Sequence, residues 1–351
     1  MPNRLLPAGK LPLPLLEKLL TRFAPSDPRI IVGPRTGEDA AVFDFGDRYL
    51  VAKTDPITFA TSEIGWYAVN VNANDVAVMG AAPRWFLATV LLPAGRATAE
   101  MAERIFAQIS DACAALGVSL AGGHTEITHN LDRPIICGTM LGEIAKERLI
   151  TTAGARPGDA MLLVKPVPIE GTALIALERA DVLRARGYTE EFIARAQGYL
   201  KNPGISVVAP ALLATEVAEV HAMHDPTEGG VMTGLLEMAR AAGAGMTVNL
   251  DAIPVPQESA RLCREFGLDP LGTIASGAIL AAVAAVDAAR LAETLSAAGY
   301  PTACIGQMSQ VGAGLVATRA GERVPWPTFA TDEITKLFSP LPSPQPASGT
   351  A

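Results

Sequence analysis

The sequence predicts a mixed α/β protein of two domains, on three observations. Its 351 residues exceed what a single hydrophobic core usually organises. Short β-prone runs alternate with stretches of helical periodicity. A polar stretch bearing Gly and Pro, Ala-Gly-Ala-Arg-Pro-Gly-Asp at 153–159, divides the chain near its middle. Apolar residues at 49% and charged residues at 18% supply enough material for two packed interiors.

Residues 1–29 form a lead-in with one amphipathic helix: leucines recur at helical spacing from Leu13 to Phe23 until Ala24-Pro25-Ser26-Asp27-Pro28 breaks the pattern. The first domain spans 30–153. Ile30-Ile31-Val32, Ala40-Ala41-Val42-Phe43 and Tyr49-Leu50-Val51-Ala52 are β-prone runs separated by Gly and Asp, the mark of neighbouring strands. Apolar residues three and four apart from Ile64 to Met79, stopped by Gly80 and Pro83, predict a helix. A strand at Trp85–Leu92, a helix at Thr98–Leu116 closed by Gly117, and strands at Val118–Ala121 and Pro134–Gly142 follow. The second domain, 154–335, opens with a strand at Ala160–Val164. Helices are expected over Thr172–Arg186, Glu190–Tyr199, Val207–Glu219 and Gly230–Ala242, with strand-like residues at Val248 and Ala278–Val286. Residues 336–351, rich in Pro, Ser and Ala, are expected to be a disordered tail. No tandem repeat is present.

Composition narrows the function classes. A net charge of −8 without a Lys/Arg cluster gives no electrostatic footing for nucleic acid or an anionic membrane, so small-molecule partners are favoured. Apolar runs such as Gly277–Val286 stop short of the roughly 18 residues a membrane span needs. The start, Met1-Pro2-Asn3-Arg4 followed by Leu-Pro alternation, does not read as a signal peptide, and a cytoplasmic protein is expected. Cys113, Cys137, Cys263 and Cys304 form no C-x-x-C pair and read as small buried hydrophobes.

The chemistry should lie with acids set among small residues, because magnesium carrying phosphates takes carboxylate and other oxygen ligands. Gly37-Glu38-Asp39-Ala40-Ala41-Val42 places an acidic pair in a glycine-led turn, and Lys53-Thr54-Asp55-Pro56 places an aspartate at a strand end. Asn72-Ala73-Asn74-Asp75-Val76-Ala77 sets Asp75 inside an apolar helix, where it must have a partner. Any one of these acids alone could be a turn former or a satisfied hydrogen-bonding group; three in so short a span point to a metal site. In Ala121-Gly122-Gly123-His124-Thr125-Glu126, paired glycines after a strand offer backbone N–H groups to a phosphate. There Glu126 is a hard ligand and His124 is either a site residue or a loop histidine. His224-Asp225-Pro226-Thr227-Glu228-Gly229-Gly230 runs into a helix, so Asp225 and the N–H groups near Gly229 and Gly230 could face an anion, or Thr227 or Asp225 could simply cap the helix. Lys165, at a strand end before Glu170-Gly171-Thr172, is a further possible phosphate contact.

Taken together, Gly-Glu-Asp-Ala-Ala-Val at 37–42, Thr-Asp at 54–55, Asn-Asp-Val-Ala-Val-Met-Gly-Ala-Ala-Pro at 74–83 and Gly-Gly-His-Thr-Glu at 122–126 resemble the aminoimidazole ribonucleotide (AIR) synthetase-related superfamily. Asp-Pro-Thr-Glu-Gly-Gly-Val at 225–231 and Gly-Leu-Asp-Pro-Leu-Gly at 267–272 extend the likeness, which covers roughly residues 10–330 and looks closest to the HypE branch of hydrogenase maturation proteins. The resemblance implies a PurM-like fold in which the N-terminal domain builds an intersubunit β-barrel in a homodimer and the C-terminal domain is α/β. It further implies ATP near that interface, magnesium held by Asp39, Asp55, Asp75 and Asp225, and the 122–126 segment against the nucleotide. Three departures bear on the reaction. HypE proteins end in a cysteine, whereas no cysteine follows Cys304 here. Selenophosphate synthetases carry a reactive Cys or selenocysteine in an N-terminal glycine-rich segment, and nothing of the kind precedes Gly37. Thiamine-monophosphate kinases usually show aspartate where this chain has His124.

The expected activity is therefore ATP- and magnesium-dependent phosphorylation of an amide, carbonyl or phosphate oxygen on a small or carrier-bound substrate. Asp75 and Lys165 would act on the transferred charge, with Glu126 as a further ligand and Gly122, Gly123, His124, Thr125, Gly229 and Gly230 around the nucleotide. The rivals are a plain small-molecule kinase and a non-catalytic, nucleotide-binding partner in metalloenzyme maturation.

Overall fold

The computed structural model of the chain describes Leu6 and residues 10–338. After α1 (Leu13–Arg22) come β1 (Ile30–Val32), β2 (Ala41–Asp44), β3 (Arg48–Ile57), α2 (Ile64–Val78), β4 (Ala82–Pro93), α3 (Ala99–Leu116), β5 (Ser119–Thr128) and β6 (Ile135–Ala145). The strands form one six-stranded sheet in the order β1-β2-β3-β6-β4-β5. Its neighbours are antiparallel except β4 and β5, which are parallel because α3 carries the chain back across the sheet. Thr98 caps α3 by accepting from the Met101 N–H, and Gly117 ends it at φ 65°.

The second half runs β7 (Ala160–Val164), α4 (Ile169–Glu178), α5 (Ala180–Ala185), α6 (Glu190–Gln197), α7 (Val208–Val217), β8 (Val220–His224), α8 (Gly230–Ala242) and β9 (Gly245–Asn249). It continues with α9 (Gln257–Phe266), β10 (Ile279–Val283), α10 (Ala288–Ala297), β11 (Thr302–Ser309), β12 (Leu315–Arg319) and β13 (Glu322–Val324). A seven-stranded sheet orders them β13-β12-β9-β11-β7-β10-β8. The central strands β7 and β10 are buried at every residue, as their unbroken apolar sequences demand.

The helix that organises the molecule is α2. It is buried almost throughout and packs against β3, β6, α3 and, in the second half, α7. A helix buried on every side is stable only between layers, and the few polar residues of α2 must find partners there. One apolar cluster accordingly runs from α2 and the first sheet through Val164, Ile169 and Ile205, across the polar stretch at 153–159. The close approach of α2 to the first sheet depends on β6 glycines: a Cβ at Gly138 would strike the Asn72 side chain, and one at Gly142 would strike Val76.

Several sequence expectations are corrected. The strand expected at Val118–Ala121 continues to Thr128, so 122–126 is not a loop. The helix expected from Thr172 begins at Ile169 and is interrupted at Arg179. Lys336 and Leu337 belong to a 3-10 turn, Glu333–Leu337, and not to a tail, while 339–351 lie outside the described residues. Cys113 and Cys263 are buried, Cys137 is half-buried and Cys304 is exposed, so the buried-hydrophobe reading fails for Cys304. Among the described residues no helix is long and apolar enough to cross a membrane.

The packing of α2 gives a test. Gly142→Ala is expected to lower unfolding free energy by about 1–3 kcal/mol through overpacking. Gly198→Ala, where no atom lies within 4 Å of the added Cβ, should be neutral or slightly stabilising. Urea denaturation of both variants reads the difference.

Candidate functional site

Three aspartates converge where the two halves meet. Asp39 comes from the β1–β2 turn, Asp75 from α2 and Asp225 from the end of β8, and each offers a carboxylate oxygen within 4.8 Å of the others. All three are buried. Each is positioned from its own neighbourhood. Gly37 at φ 88° brings the Asp39 turn against α8, where a Cβ would lie 2.8 Å from the Glu237 carbonyl. Asn72 donates to the Asp55 and Ala68 carbonyls, and Asn74 donates to Ile205 O at 2.8 Å while accepting from Val207 N at 2.7 Å, so the turn carrying Asp75 is pinned to both halves.

Charged partners frame the cluster. Lys53 Nζ lies 3.1 Å from Asp75 Oδ1 and 3.7 Å from Asp55 Oδ2. Burial opposes its charge, yet the carboxylates of Asp75, Asp55, Asp39 and Asp225 raise its pKa above the ordinary lysine value. Asp39 Oδ1 meets His224 Nδ1 at 2.6 Å, and His224 Nε2 meets Glu237 Oε2 at 3.2 Å. Burial alone would lower the histidine's pKa, but the two carboxylates overcome it and hold an imidazolium that donates from both nitrogens. Asp39 Oδ2 also accepts from the Thr152 hydroxyl at 3.1 Å. Glu38, its neighbour, accepts from the Thr152 and Ala153 N–H groups, tying the turn to the 153–159 stretch.

What remains unmet is the informative part. Asp75 Oδ2 and both oxygens of Asp225 are buried without a hydrogen-bond partner. Burial lifts the Asp75 carboxyl to about 7, with Lys53 pulling the other way, and burial plus the charges of Asp75 and Asp39 push Asp225 well above the carboxylate range. Orphaned buried carboxylate oxygens are rare in folded proteins. Hard oxygens of this number and spacing fit a divalent cation such as magnesium. A cavity of about 180 Å³ opens onto them, lined also by Lys10, Arg35, Asp55 and Thr227.

The other expected site residues are placed elsewhere. Asp55 sits at the cavity wall, about a third exposed and outside the three-oxygen group. Gly122, Gly123, His124, Thr125 and Glu126 lie within the exposed edge strand β5, and the first four line a separate depression with Phe106 and Leu120 that shares no residue with the acid cavity. Gly123 answers to packing, since a Cβ there would strike the Ala88 backbone close to a bulge in β5 at Ala121, whereas a Cβ on Gly122 would meet no atom within 4 Å. His124 and Glu126 pair only with each other, at 3.2 Å. Gly229 and Gly230 do not present free N–H groups: they donate to Asp332 Oδ2 and Thr227 O, so the anion at the start of α8 is Asp332. Neither Thr227 nor Asp225 caps that helix. Lys165 is buried, donates to the Gly204 and Ser206 carbonyls at 2.8 Å, and does not line the acid cavity; burial lowers its pKa to about 7.

Lys53, His224 and Glu237 received no role from the sequence, although signals existed. Lys53 and Asp55 share a strand face by the two-residue period, and Glu237 interrupts the apolar face of α8 as Asp75 interrupts α2.

Comparison with known proteins gives independent findings. The family model described as AIR synthase related protein, N-terminal domain, matches residues 37–144, and that of the C-terminal domain matches 156–316. A carbamoyl dehydratase HypE of Cupriavidus necator is 32% identical over 275 residues, 76% of this chain and 74% of its own. A selenide, water dikinase of Dechloromonas aromatica is 32% identical over 271 residues, 75% of this chain and 72% of its own. The solved structure of a hydrogenase maturation protein HypE in complex with ATP superposes with a TM-score of 0.70 at 26% identity, covering 90% of this chain and 93% of that one.

The cluster predicts a linked response to pH and cation. Asp75 holds its proton more tightly folded than unfolded, so its stabilising contribution is full below about pH 4 and is lost as pH rises through about 7. Magnesium at a hundredfold its Kd should restore about 2–3 kcal/mol at pH 8. Asp225→Asn should unfold at the same or higher temperature without the ion and show no magnesium-dependent rise, as read by thermal unfolding with and without chelator.

Proposed function

The chain belongs to the AIR synthase related family, and from that premise we propose an ATP- and magnesium-dependent enzyme that phosphorylates, and so activates, an oxygen of a small or carrier-bound substrate. The oxygen belongs to an amide, a carbonyl or a phosphate. The observation that carries this reading is the buried trio Asp39, Asp75 and Asp225 with its unpartnered oxygens. The ATP complex of the HypE relative supports the nucleotide.

In this reading Asp39, Asp75 and Asp225 hold the ion, and Asp55 lies at its edge. Magnesium, when bound, supplies positive charge against phosphate oxygens. The protein's own residues do the remainder. Lys53 fixes Asp75 and adds a cation at the cavity wall, while the imidazolium of His224 fixes Asp39 and takes its negative charge into the chain His224–Glu237–Lys10. Phosphoryl transfer asks chiefly for such positioning and charge neutralisation, and no protein nucleophile is required.

The exposed edge of β5 supports a homodimer. A long unpaired edge carrying Leu120 and Ile127 in water is a pairing surface unless covered. Pairing there would form the intersubunit barrel and put His124, Thr125 and Glu126 in an interface, where nucleotide could meet them. The likeness to HypE supports work beside a metalloenzyme-maturation partner.

Calorimetric titration with a non-hydrolysable ATP analogue tests the reading. Magnesium-dependent binding is expected in the wild type and a loss of at least about tenfold in Asp75→Asn, near 1.4 kcal/mol. Absence of binding at every magnesium level by folded protein sinks it. With substrate in hand, free phosphate marks an activating enzyme, whereas a stable phosphorylated product marks a kinase.

A further inference from the structure

Asp225 is the least supported member of the acid cluster. Neither of its oxygens has a hydrogen-bond partner, so no polar contact of the side chain fixes where it points. Its aim is set by the backbone on either side: His224 pairs with Leu280 in the second sheet, and residues 226–229 turn the chain into α8. That turn ends in two glycines at positive φ, 83° and 66°, the residues with the most backbone freedom to lose on folding. No local side chain caps the helix, and a Cβ on Gly229 would lie 2.3 Å from Thr233 Oγ1, so position 229 cannot supply one.

The hold comes from the far end of the chain. Asp332, 5% exposed, accepts from Gly229 N at 2.6 Å through Oδ2, and from Ile274 N at 3.2 Å and Ile334 N at 2.7 Å through Oδ1. The carboxylate thereby joins two segments that meet on the turn. Ala275, next to Ile274, donates to Thr227 O, the carbonyl that also accepts from Gly230 N. Helix capping accounts for the bond to Gly229, and the start of its own 3-10 turn accounts for the bond to Ile334. The bond to Ile274 serves neither purpose. Burial lifts the Asp332 carboxyl to about 6 although the three N–H groups pull it down, a cost that an exposed cap does not carry.

The segment bearing Asp332 is fastened to both halves. Phe329 covers Gly272 so closely that a Cβ there would lie 2.5 Å from the ring, while Glu333 N donates to Gly272 O and the Glu333 carboxylate accepts from Asp269 N. Phe338 then stacks on Phe59 of the first half at 5.7 Å. All of these anchors lie beyond residue 316, where the match to the C-terminal family model ends.

Resting on the reading of Asp39, Asp75 and Asp225 as a magnesium site, we propose that Asp332 is a positioning residue for that site: through Gly229 and Ile274 it fixes the 226–229 turn and so the place of the Asp225 carboxylate. It does not line the acid cavity and acts only through the backbone. The segment 325–338 thus sets how tightly the site holds its ion.

The test is calorimetric titration of the full chain with magnesium chloride, alone and with the non-hydrolysable ATP analogue present, on wild type, Asp332→Ala, Asp332→Asn and Leu291→Ala. Leu291 is buried in α10 and lines no part of the acid cavity, so its variant shows what lost stability alone does. Asp332→Ala should weaken magnesium at least about tenfold, the usual effect of removing a partner behind a metal ligand. Asp332→Asn keeps one accepting oxygen and should lose less. Leu291→Ala should lower the unfolding temperature yet leave the magnesium Kd within about twofold of wild type. Should Asp332→Ala not fold, Asp332→Asn decides: a loss beyond about twofold supports the proposal and a smaller one overturns it. Unchanged magnesium affinity in folded Asp332→Ala, or an equal loss in Leu291→Ala, overturns it while leaving the acid-cluster reading in place. A wild type that takes no magnesium, with or without the analogue, removes that reading and the proposal with it.

Discussion

Three carboxylates buried within 4.8 Å of one another set the terms for the rest of this structure. Two unit charges at that distance repel by roughly 3–4 kcal/mol in a medium of effective dielectric about 20. The fold answers with cations placed by three separate elements: Lys53 from β3, His224 from β8 and Lys10 from the segment before α1. They meet Asp75, Asp39 and Glu237 but leave Asp225 bare. The compensation is therefore partial and localised, a pattern that fits a cation site better than an ion-pair network built for stability.

Holding those groups in place requires that the two halves act as one body. The polar stretch at 153–159, which reads in sequence as a linker, is drawn into the site through Thr152, whose hydroxyl serves Asp39 and whose N–H serves Glu38. Asn74 fastens the 205–207 segment onto α2 one residue from Asp75. The β6 glycines let α2 settle deep enough for its polar face to reach these partners. A continuous apolar core across the junction makes relative motion of the halves costly. Preorganisation of the acid cluster thus comes from the same contacts that bury α2.

Much of this was legible. The elements of the first half, apart from the length of β5, follow from their periodicity and stop signals, and α8 begins and ends where the sequence places it. Three of the four aspartates assigned to metal do meet, because each stands among small or apolar residues that leave a carboxylate little other use. The region from Gln257 to Val324 was largely missed. Its strands β11 to β13 are short and half-exposed, with no clean alternation, and α9 is short, bounded by Pro256 and Gly267. Lys165 misled because a lysine at a strand end next to a helix start resembles a phosphate contact. Only the fold reveals that the 204–206 carbonyls consume its amine.

The paired glycines show why one sequence signature cannot stand for one cause. Gly122-Gly123 and Gly229-Gly230 both invite the reading of a backbone cradle for phosphate. In the structure Gly123 lets β5 lie tight on β4, Gly230 lets the start of α8 meet the 271–272 backbone and Gly229 lies against the Thr233 side chain, while the N–H groups of the second pair serve the protein's own groups. Close packing explains one glycine of the first pair and both of the second, and it requires no ligand. An acid carries a stronger inference than a glycine because burial penalises it: a glycine without a ligand is at no loss, whereas an unpartnered buried carboxylate is. Asp75, Asp225 and Glu170 are the carboxylates with such oxygens among the described residues, and they lie around two cavities joined at Lys10, Asp55 and Thr227.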